Sequence, residues 1–256
     1  MKGCLRAAWS FYFDWADRRR TSTVEFCKAH LGRMRPLTVV EVVGGDPDRC
    51  WPRLGKRAEL LVTVIPGPPG DGALAGGARN VGRGGGSTSR DVVASWELLP
   101  LLDGTADVVL CSEVLEHSRN PRLIIAEAAR LLAAGGLLLV TSPNGDVSGS
   151  YRFPILGREG YKRLERSSGH VCSLSRSELA RWGAESGLEL TGYRELHRRP
   201  VGALWWELVA WLSVTGRRRL RAVAHALWPA ASAVGRILPR QGGLWMALAF
   251  TRRETQ

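Results

Sequence analysis

Within the stretch Ser112-Glu113-Val114-Leu115-Glu116-His117, a hydroxyl, two carboxylates and an imidazole follow directly on the apolar run Asp107–Cys111. An imidazole titrates near neutrality, so His117 is a candidate to take up a proton at a reacting atom, while the carboxylates can accept hydrogen bonds. His170 and Tyr151 offer acid–base chemistry further along the chain. Such residues are more often packing or hydrogen-bonding partners than bases, and Glu113 and Glu116 can equally cap a helix. Metal chemistry has little support. Cys4, Cys27, Cys50, Cys111 and Cys172 are widely spread and form no Cys-x-x-Cys pair, and Cys27 with His30 is a lone close pair with no second one. This usage predicts no metal and a reduced, cytoplasmic protein.

The elements around these residues set where they can meet. Thr38–Val43 and Leu60–Ile65 are β-branched runs closed by Gly44-Gly45 and by Pro66-Gly67, which predicts two buried parallel strands. Asp107–Cys111 is a third strand, Pro121–Leu132 an amphipathic helix with proline at its start, and Gly136–Thr141 a fourth strand, making a βαβ unit. Ser175 opens a helix that runs to Ser186, with Glu178 completing a capping box and Gly187 as terminator. Leu188–Leu196 and Leu244–Thr251 supply the last two strands. Residues 66–90 are rich in Gly and Pro with almost no large apolar side chain, and read as a flexible loop; the Gly82–Gly86 cluster follows no strand and is not taken as a phosphate site. This alternation predicts an α/β sheet with helices on both faces and a ligand crevice at the carboxyl ends of the strands.

Charge is distributed unevenly. The net charge is +12, and from Arg194 to Arg253 eleven arginines face only two acids, Glu195 and Glu207. About fifty residues separate the last two strands, too many for an ordinary loop, and they carry Trp205, Trp206, Trp211 and Trp228. Val201–Val214 is apolar nearly all round. Leu220, Val223, Ala224 and Leu227 form one helical stripe beside Arg217, Arg218, Arg219 and Arg221, and beyond Pro229 the residues Ala230, Ala233, Val234, Ile237 and Leu238 continue a second apolar face. This insertion reads either as an arm lying on an anionic membrane surface or as a cap packed on the sheet. No stretch reaches the roughly 18 uncharged apolar residues of a membrane span. Trp9, Phe11, Tyr12, Phe13 and Trp15 are interrupted by charges, giving a leading amphipathic helix rather than a signal peptide. The expected organisation is a helical segment over 1–36, a core over 37–198, a basic helical insertion over 199–242, and a last strand and tail over 243–256.

A family resemblance rests on Leu99-Pro100, Asp103-Gly104-Thr-Ala-Asp107, the strand, Glu113-Val-Leu-Glu116-His117, Asn120-Pro121, the Gly135-Gly136 pair and Pro143-Asn144-Gly145, in that order. Gly169-His170, Leu174–Leu179 and Ser186-Gly187-Leu188 extend it. This pattern resembles class I S-adenosylmethionine-dependent methyltransferases of the ubiquinone-methyltransferase-like branch. The resemblance implies a Rossmann-like fold: a mostly parallel seven-stranded sheet with helices on both faces and a helical insertion before the last strand. It also implies S-adenosylmethionine as cofactor, held by Glu41, Gly44, Gly45, Asp46, Ser95, Trp96, Ser112 and Glu113. His117 would stand at the methyl acceptor, with Glu116, Tyr151 and His170 on the substrate side.

This chain departs from the family at three points. Where the family has Asp/Glu-x-Gly-x-Gly-x-Gly, the aligned residues are Glu41, Val43, Gly45 and Pro47, so two glycines are replaced. No carboxylate stands at the end of the second strand to bind ribose hydroxyls, Thr63 lies within that strand, and Asp71 lies beyond a Pro/Gly run. Ser95 replaces the acid that would meet the adenine amino group.

The functional expectation is transfer of a methyl group to a small hydrophobic or lipid-linked metabolite by a cytoplasmic protein, which the arm reading of the insertion would set peripherally at the inner face of a membrane. The alternative is a catalytically silent member of the fold that serves as a binding or scaffolding partner. Nucleic acid is not expected as a partner, since no recognition module is visible. A dinucleotide oxidoreductase is disfavoured because Gly-x-Gly-x-x-Gly is missing after the first strand.

Overall fold

The computed structural model describes residues 25–32, 38–43, 58–66, 79–80, 88–148, 151, 153–198, 201–217, 219–220, 223, 227 and 242–254. Several sequence expectations fall outside this set: the amphipathic segment at 1–20, the turn residues Gly44, Gly45, Asp46 and Pro47, Asp71, the Gly82–Gly86 cluster, and the apolar face beyond Pro229.

Eight strands form one sheet: β1 (Thr38–Val43), β2 (Leu60–Pro66), β3 (Arg79–Asn80), β4 (Thr88–Ala94), β5 (Ala106–Ser112), β6 (Leu132–Pro143), β7 (Leu188–Arg198) and β8 (Gly243–Arg252). Their order is β3-β4-β2-β1-β5-β6-β8-β7. Five central strands, β4, β2, β1, β5 and β6, run parallel, and β8 enters antiparallel between β6 and β7. Seven of the eight are long, which matches the expected seven-stranded sheet. β4, whose start lies inside the Gly-rich stretch read as loop, pairs with β2 from Thr88 to Ala94, so the loop reading of 66–90 is corrected at Arg79–Asn80 and from Thr88 onward. The polar sequence Thr-Ser-Arg-Asp before Val92 hides this strand from a hydrophobic reading.

The helices are α1 over 25–31, α2 (Pro121–Leu131), α3 (Gly145–Ser148), α4 (Gly157–Ser167), α5 (Arg176–Glu185) and α6 (Val201–Val214), with a 3-10 turn at Leu115–His117. One sheet face packs α2 and α5 through Ile124, Ile125, Ala128, Leu131 and Leu179. The other packs α1 and α6 through Phe26, Leu31, Ala203, Trp205, Val209 and Leu212. Near-continuous Val and Leu in β1, β5 and β6 follow from this two-sided burial. α5 begins as its sequence predicts, with Ser175 Oγ accepting from the Glu178 amide at 3.2 Å and the Glu178 carboxylate accepting from the Ser175 amide at 2.9 Å.

One ionic knot fixes the segment between β4 and β5. Glu127, buried on α2, accepts from the Leu99 amide at 2.6 Å and from Arg130 at 2.7 and 2.8 Å. Arg130 in turn donates to the Leu101 carbonyl at 2.9 Å and pairs with Asp103. At the amino ends of the strands, Asp107 Oδ2 accepts from the Thr38 amide at 2.7 Å, tying β5 to β1.

Two consequences are measurable. Glu127→Ala leaves the Leu99 amide without its acceptor and Arg130 with only the Leu99 and Leu101 carbonyls and Asp103, and should lower unfolding stability by about 1–3 kcal/mol in urea titration; an unchanged midpoint would contradict this role. Ser175→Ala should cost about 1 kcal/mol at neutral pH. Hydrogen bonds from Ser175 hold the Glu178 carboxyl below its ordinary value. The Glu178 contribution is therefore complete above the ordinary carboxylate pKa and is lost as pH falls through the depressed one.

Candidate functional site

β2 and β4 lie on one side of β1, and β5 and β6 on the other, so a topological switch falls between β1 and β5 at their carboxyl ends. The last row of this edge is Val43, Ser112 and Thr141 in register. Ser112 Oγ and Thr141 Oγ1 lie 3.1 Å apart, and the next residue, Glu113, turns into the left-handed region with φ 55°. A non-glycine residue there costs roughly 1–2 kcal/mol, and such outliers cluster at functional sites. Glu113 is held in place on both sides: its amide donates to the Thr141 carbonyl at 3.0 Å, and its buried carboxylate accepts from the Trp245 indole N–H at 3.0 Å.

The 3-10 turn that follows carries Glu116 and His117 to the same edge. Glu116 is 1% exposed, accepts from Ser142 Oγ at 3.3 Å, and uses its backbone carbonyl to accept the Val171 amide at 2.8 Å. That contact brings the α4–α5 connection alongside, and with it His170. Gly145, at the end of β6, permits the neighbouring approach: its amide donates to the Leu174 carbonyl at 2.7 Å, and a Cβ there would meet that carbonyl at 2.7 Å.

His117 Nδ1 lies 3.1 Å from the Gly169 carbonyl, and His170 Nδ1 lies 3.0 Å from Glu165 Oε2. Both oxygens are acceptors, so both rings carry hydrogen on Nδ1, and in the neutral imidazole Nε2 is then the accepting nitrogen. The rings meet edge to face at 4.9 Å, and ligand-capable atoms of Glu116, His117 and His170 lie within 4.8 Å of one another, the one such trio among the described residues. This arrangement can receive a proton or a divalent cation. Beside it, Phe153 stacks on Tyr161 at 3.8 Å and meets Tyr151 edge-on at 4.8 Å. Burial, and then the neighbouring Glu165 charge, push the Tyr161 hydroxyl far above its ordinary value.

On the other side of the switch, Ser95 is exposed and donates to Glu97 Oε2 at 2.5 Å, while Ser118 donates to Glu97 Oε1 at 2.6 Å. Burial of Glu97 acts against these bonds, yet they hold its carboxyl below the ordinary range. Glu97 thus ties the end of β4 to the end of the 3-10 turn. Trp96 packs against the core, and its indole N–H is buried with no hydrogen-bond partner among the described residues. Glu41 is fully buried, two positions before the end of β1 and in register with Thr63 and Leu110.

The structure therefore gathers Ser112, Glu113, Glu116, His117 and His170 at one strand edge. It sets Tyr151 in the adjoining aromatic group, and Ser95 and Trp96 across the switch. Sequence reasoning missed Glu97, Glu165 and Trp245. Glu97 stands inside the stretch already singled out, but Trp245 lies 132 residues from its partner and carries no local signal. A separate cavity of about 450 Å³, lined by Arg122, Arg130, Glu185 and Arg252 among others, opens at the opposite ends of the strands. Its arginines are engaged: Arg122 with Glu185 at 3.2 Å, Arg130 in the knot above, and Arg252 on the Ala129 and Arg130 carbonyls.

Residues 36–192 match a family profile described as a methyltransferase domain. A ubiquinone biosynthesis O-methyltransferase from Methylococcus capsulatus is 34% identical over 100 residues, which is 38% of this chain and 42% of that protein. The chain thus spans less than half the length of this relative. The YcgJ protein of Bacillus subtilis superposes with a TM-score of 0.57 at 13% identity, covering 92% of this chain and 100% of its own. A geranyl diphosphate methyltransferase in complex with GPP and sinefungin gives a TM-score of 0.54 at 16% identity, over 91% of this chain and 78% of that one. At such identities the structural likeness shows the fold.

Trp245→Phe keeps the aromatic ring but removes the donor to buried Glu113. It should cost about 1–3 kcal/mol in equilibrium unfolding, and an unchanged midpoint would show that the bond does not hold the turn.

Proposed function

The chain belongs to the class I S-adenosylmethionine-dependent methyltransferases, and from that premise we propose that it moves a methyl group onto a small, hydrophobic or lipid-linked metabolite. The observation that supports this most is the meeting of Glu113, Glu116, His117 and His170 at the carboxyl ends of β5 and β6, where this fold places ligands.

When bound, S-adenosylmethionine supplies a methyl group already activated on a sulfonium. The residues present fit such a group in part. The buried, unpartnered Trp96 N–H is a donor suited to a ring nitrogen of adenine. Ser112 and Glu113 stand at the switch point where the nucleoside would cross. Against this, Val43 is buried at the end of β1 where the family has glycine, and β2 offers no carboxylate to the ribose. Loss of one charge-assisted hydrogen bond weakens affinity roughly ten- to hundred-fold.

For transfer from that group to an acceptor atom, this chain's residues would hold the two in line. Positioning and exclusion of water carry most of the acceleration. The partly buried Tyr151 and Tyr161, packed on the core ring of Phe153, would offer the acceptor an apolar wall. The His117 or His170 Nε2 lone pair receives the proton that the acceptor hydroxyl or amine releases. Glu165 and the Gly169 carbonyl hold these rings in the tautomer that makes this possible. A cytoplasmic setting accords with the free thiols of Cys111 and Cys172, of which Cys111 is pushed to about 12 by burial.

A second reading, a catalytically silent binding or scaffolding protein, draws on Val43 and on the missing ribose acid. Isothermal titration separates the two. We expect measurable heat with both S-adenosylmethionine and S-adenosylhomocysteine, lost or strongly reduced in Trp96→Ala; no heat at millimolar ligand would favour the silent reading. Turnover measured before and after EDTA assigns the trio. Unchanged rates leave it to proton uptake, whereas loss restored by Mg²⁺ or Zn²⁺ gives it a cation.

A further inference from the structure

α6 is built into the fold. Ala203, Trp205, Val209, Ala210 and Leu212 are buried in the core beneath β7 and β8. Its one acid, Glu207, is also buried, and its Oε2 accepts from the Ile155 and Leu156 amides at 2.9 and 3.1 Å. These amides lie at the start of α4, the helix that carries Glu165. The helix then ends in a Schellman turn: the Arg217 amide donates to the Leu212 carbonyl at 2.9 Å, with Gly216 at φ 72°.

Beyond that turn, residues 219–220, 223 and 227 are helical. Leu220, Val223 and Leu227, spaced i, i+3 and i+7, fall on one face. They are 52%, 55% and 60% exposed, so the domain does not cover this stripe. A packed cap would have buried them. Arg217 and Arg219 are exposed beside it, and Arg217 lies 4.8 Å over the Trp211 ring.

We propose that this segment is an interfacial anchor that lays Leu220, Val223 and Leu227 into the surface of an anionic bilayer, with the neighbouring arginines on lipid phosphates. Charge complementarity selects this occupant. Eleven arginines lie between Arg194 and Arg253, and of the two acids there Glu207 is buried and engaged. A second copy of the chain would bring +12 against +12. A nucleic acid would use the arginines but leave three aliphatic side chains in water. Among the described residues no helix is long and apolar enough to cross a membrane, which fits an arm that lies on the surface. Through Glu207 and α4 the anchor is joined to the acceptor side of the site. On the methyltransferase reading, that places the acceptor pocket next to the lipid that would present its substrate.

The test is co-sedimentation of the full chain with vesicles of phosphatidylcholine alone and with about 30 mol % phosphatidylglycerol. It needs no turnover, so its failure leaves the methyltransferase reading intact. The wild type should bind the anionic vesicles at least roughly tenfold more tightly and be released by about 0.5 M salt. Leu220→Ser/Val223→Ser/Leu227→Ser should lose that binding with an unchanged circular dichroism spectrum and melting temperature. Equal binding to both vesicles, no binding, or full binding by the triple variant would overturn the proposal. So would a wild-type dimer, seen by sedimentation velocity, that the triple variant breaks.

Discussion

A carboxylate taken out of water must be met by donors, or its burial destabilises the fold by several kcal/mol. Glu41, Glu113, Glu116, Glu127 and Glu207 are all buried here, and the last four take donors from other parts of the fold. Donors come from distant parts of the chain: Trp245 of β8 to Glu113, Ser142 of β6 to Glu116, the Leu99 amide to Glu127, and the Ile155 and Leu156 amides to Glu207. Each of these contacts locks one loop of the crevice to an element of the sheet or to a helix packed on it.

The chemistry follows from that arrangement. β8 enters antiparallel between β6 and β7 and so carries Trp245 to the carboxyl edge, where it fixes the strained Glu113 turn. The turn aims the 3-10 segment so that His117 meets His170, whose own position depends on α4 through Glu165. α4 in turn is capped from α6. One connected path of hydrogen bonds therefore runs from the basic insertion to the imidazoles.

Much of this architecture was legible in the sequence because local signals were strong. β1, β2 and β5 announce themselves as β-branched runs, α5 through its complete capping box, and α6 as a stretch apolar nearly all round. β4 was not legible, since only Val92, Val93 and Ala94 are apolar and its partner β2 supplies the rest of its stabilisation. Glu113, Glu116, His117 and His170 could be picked out of the sequence as candidates, but their geometry could not. Nothing in the spacing of His170 indicates that Glu165, five residues earlier on α4, would set its tautomer. Trp245 and Glu207 read as ordinary members of apolar segments, and their polar atoms acquire roles only through long-range packing. The uncovered stripe at Leu220, Val223 and Leu227 was visible as a periodic pattern, but whether the domain would bury it depended on tertiary structure.

The central claim is that the carboxyl edge between β1 and β5 receives an adenosyl nucleoside despite a valine in its floor. A crystal structure grown with S-adenosylhomocysteine tests this most directly. The account predicts adenine within hydrogen-bonding reach of Trp96 Nε1 and the amino-acid portion beside Ser112 and Glu113, with Val43 lining the pocket without filling it. Ligand density elsewhere, or a Val43 side chain occupying the place of the nucleoside in crystals soaked to saturation, would contradict it.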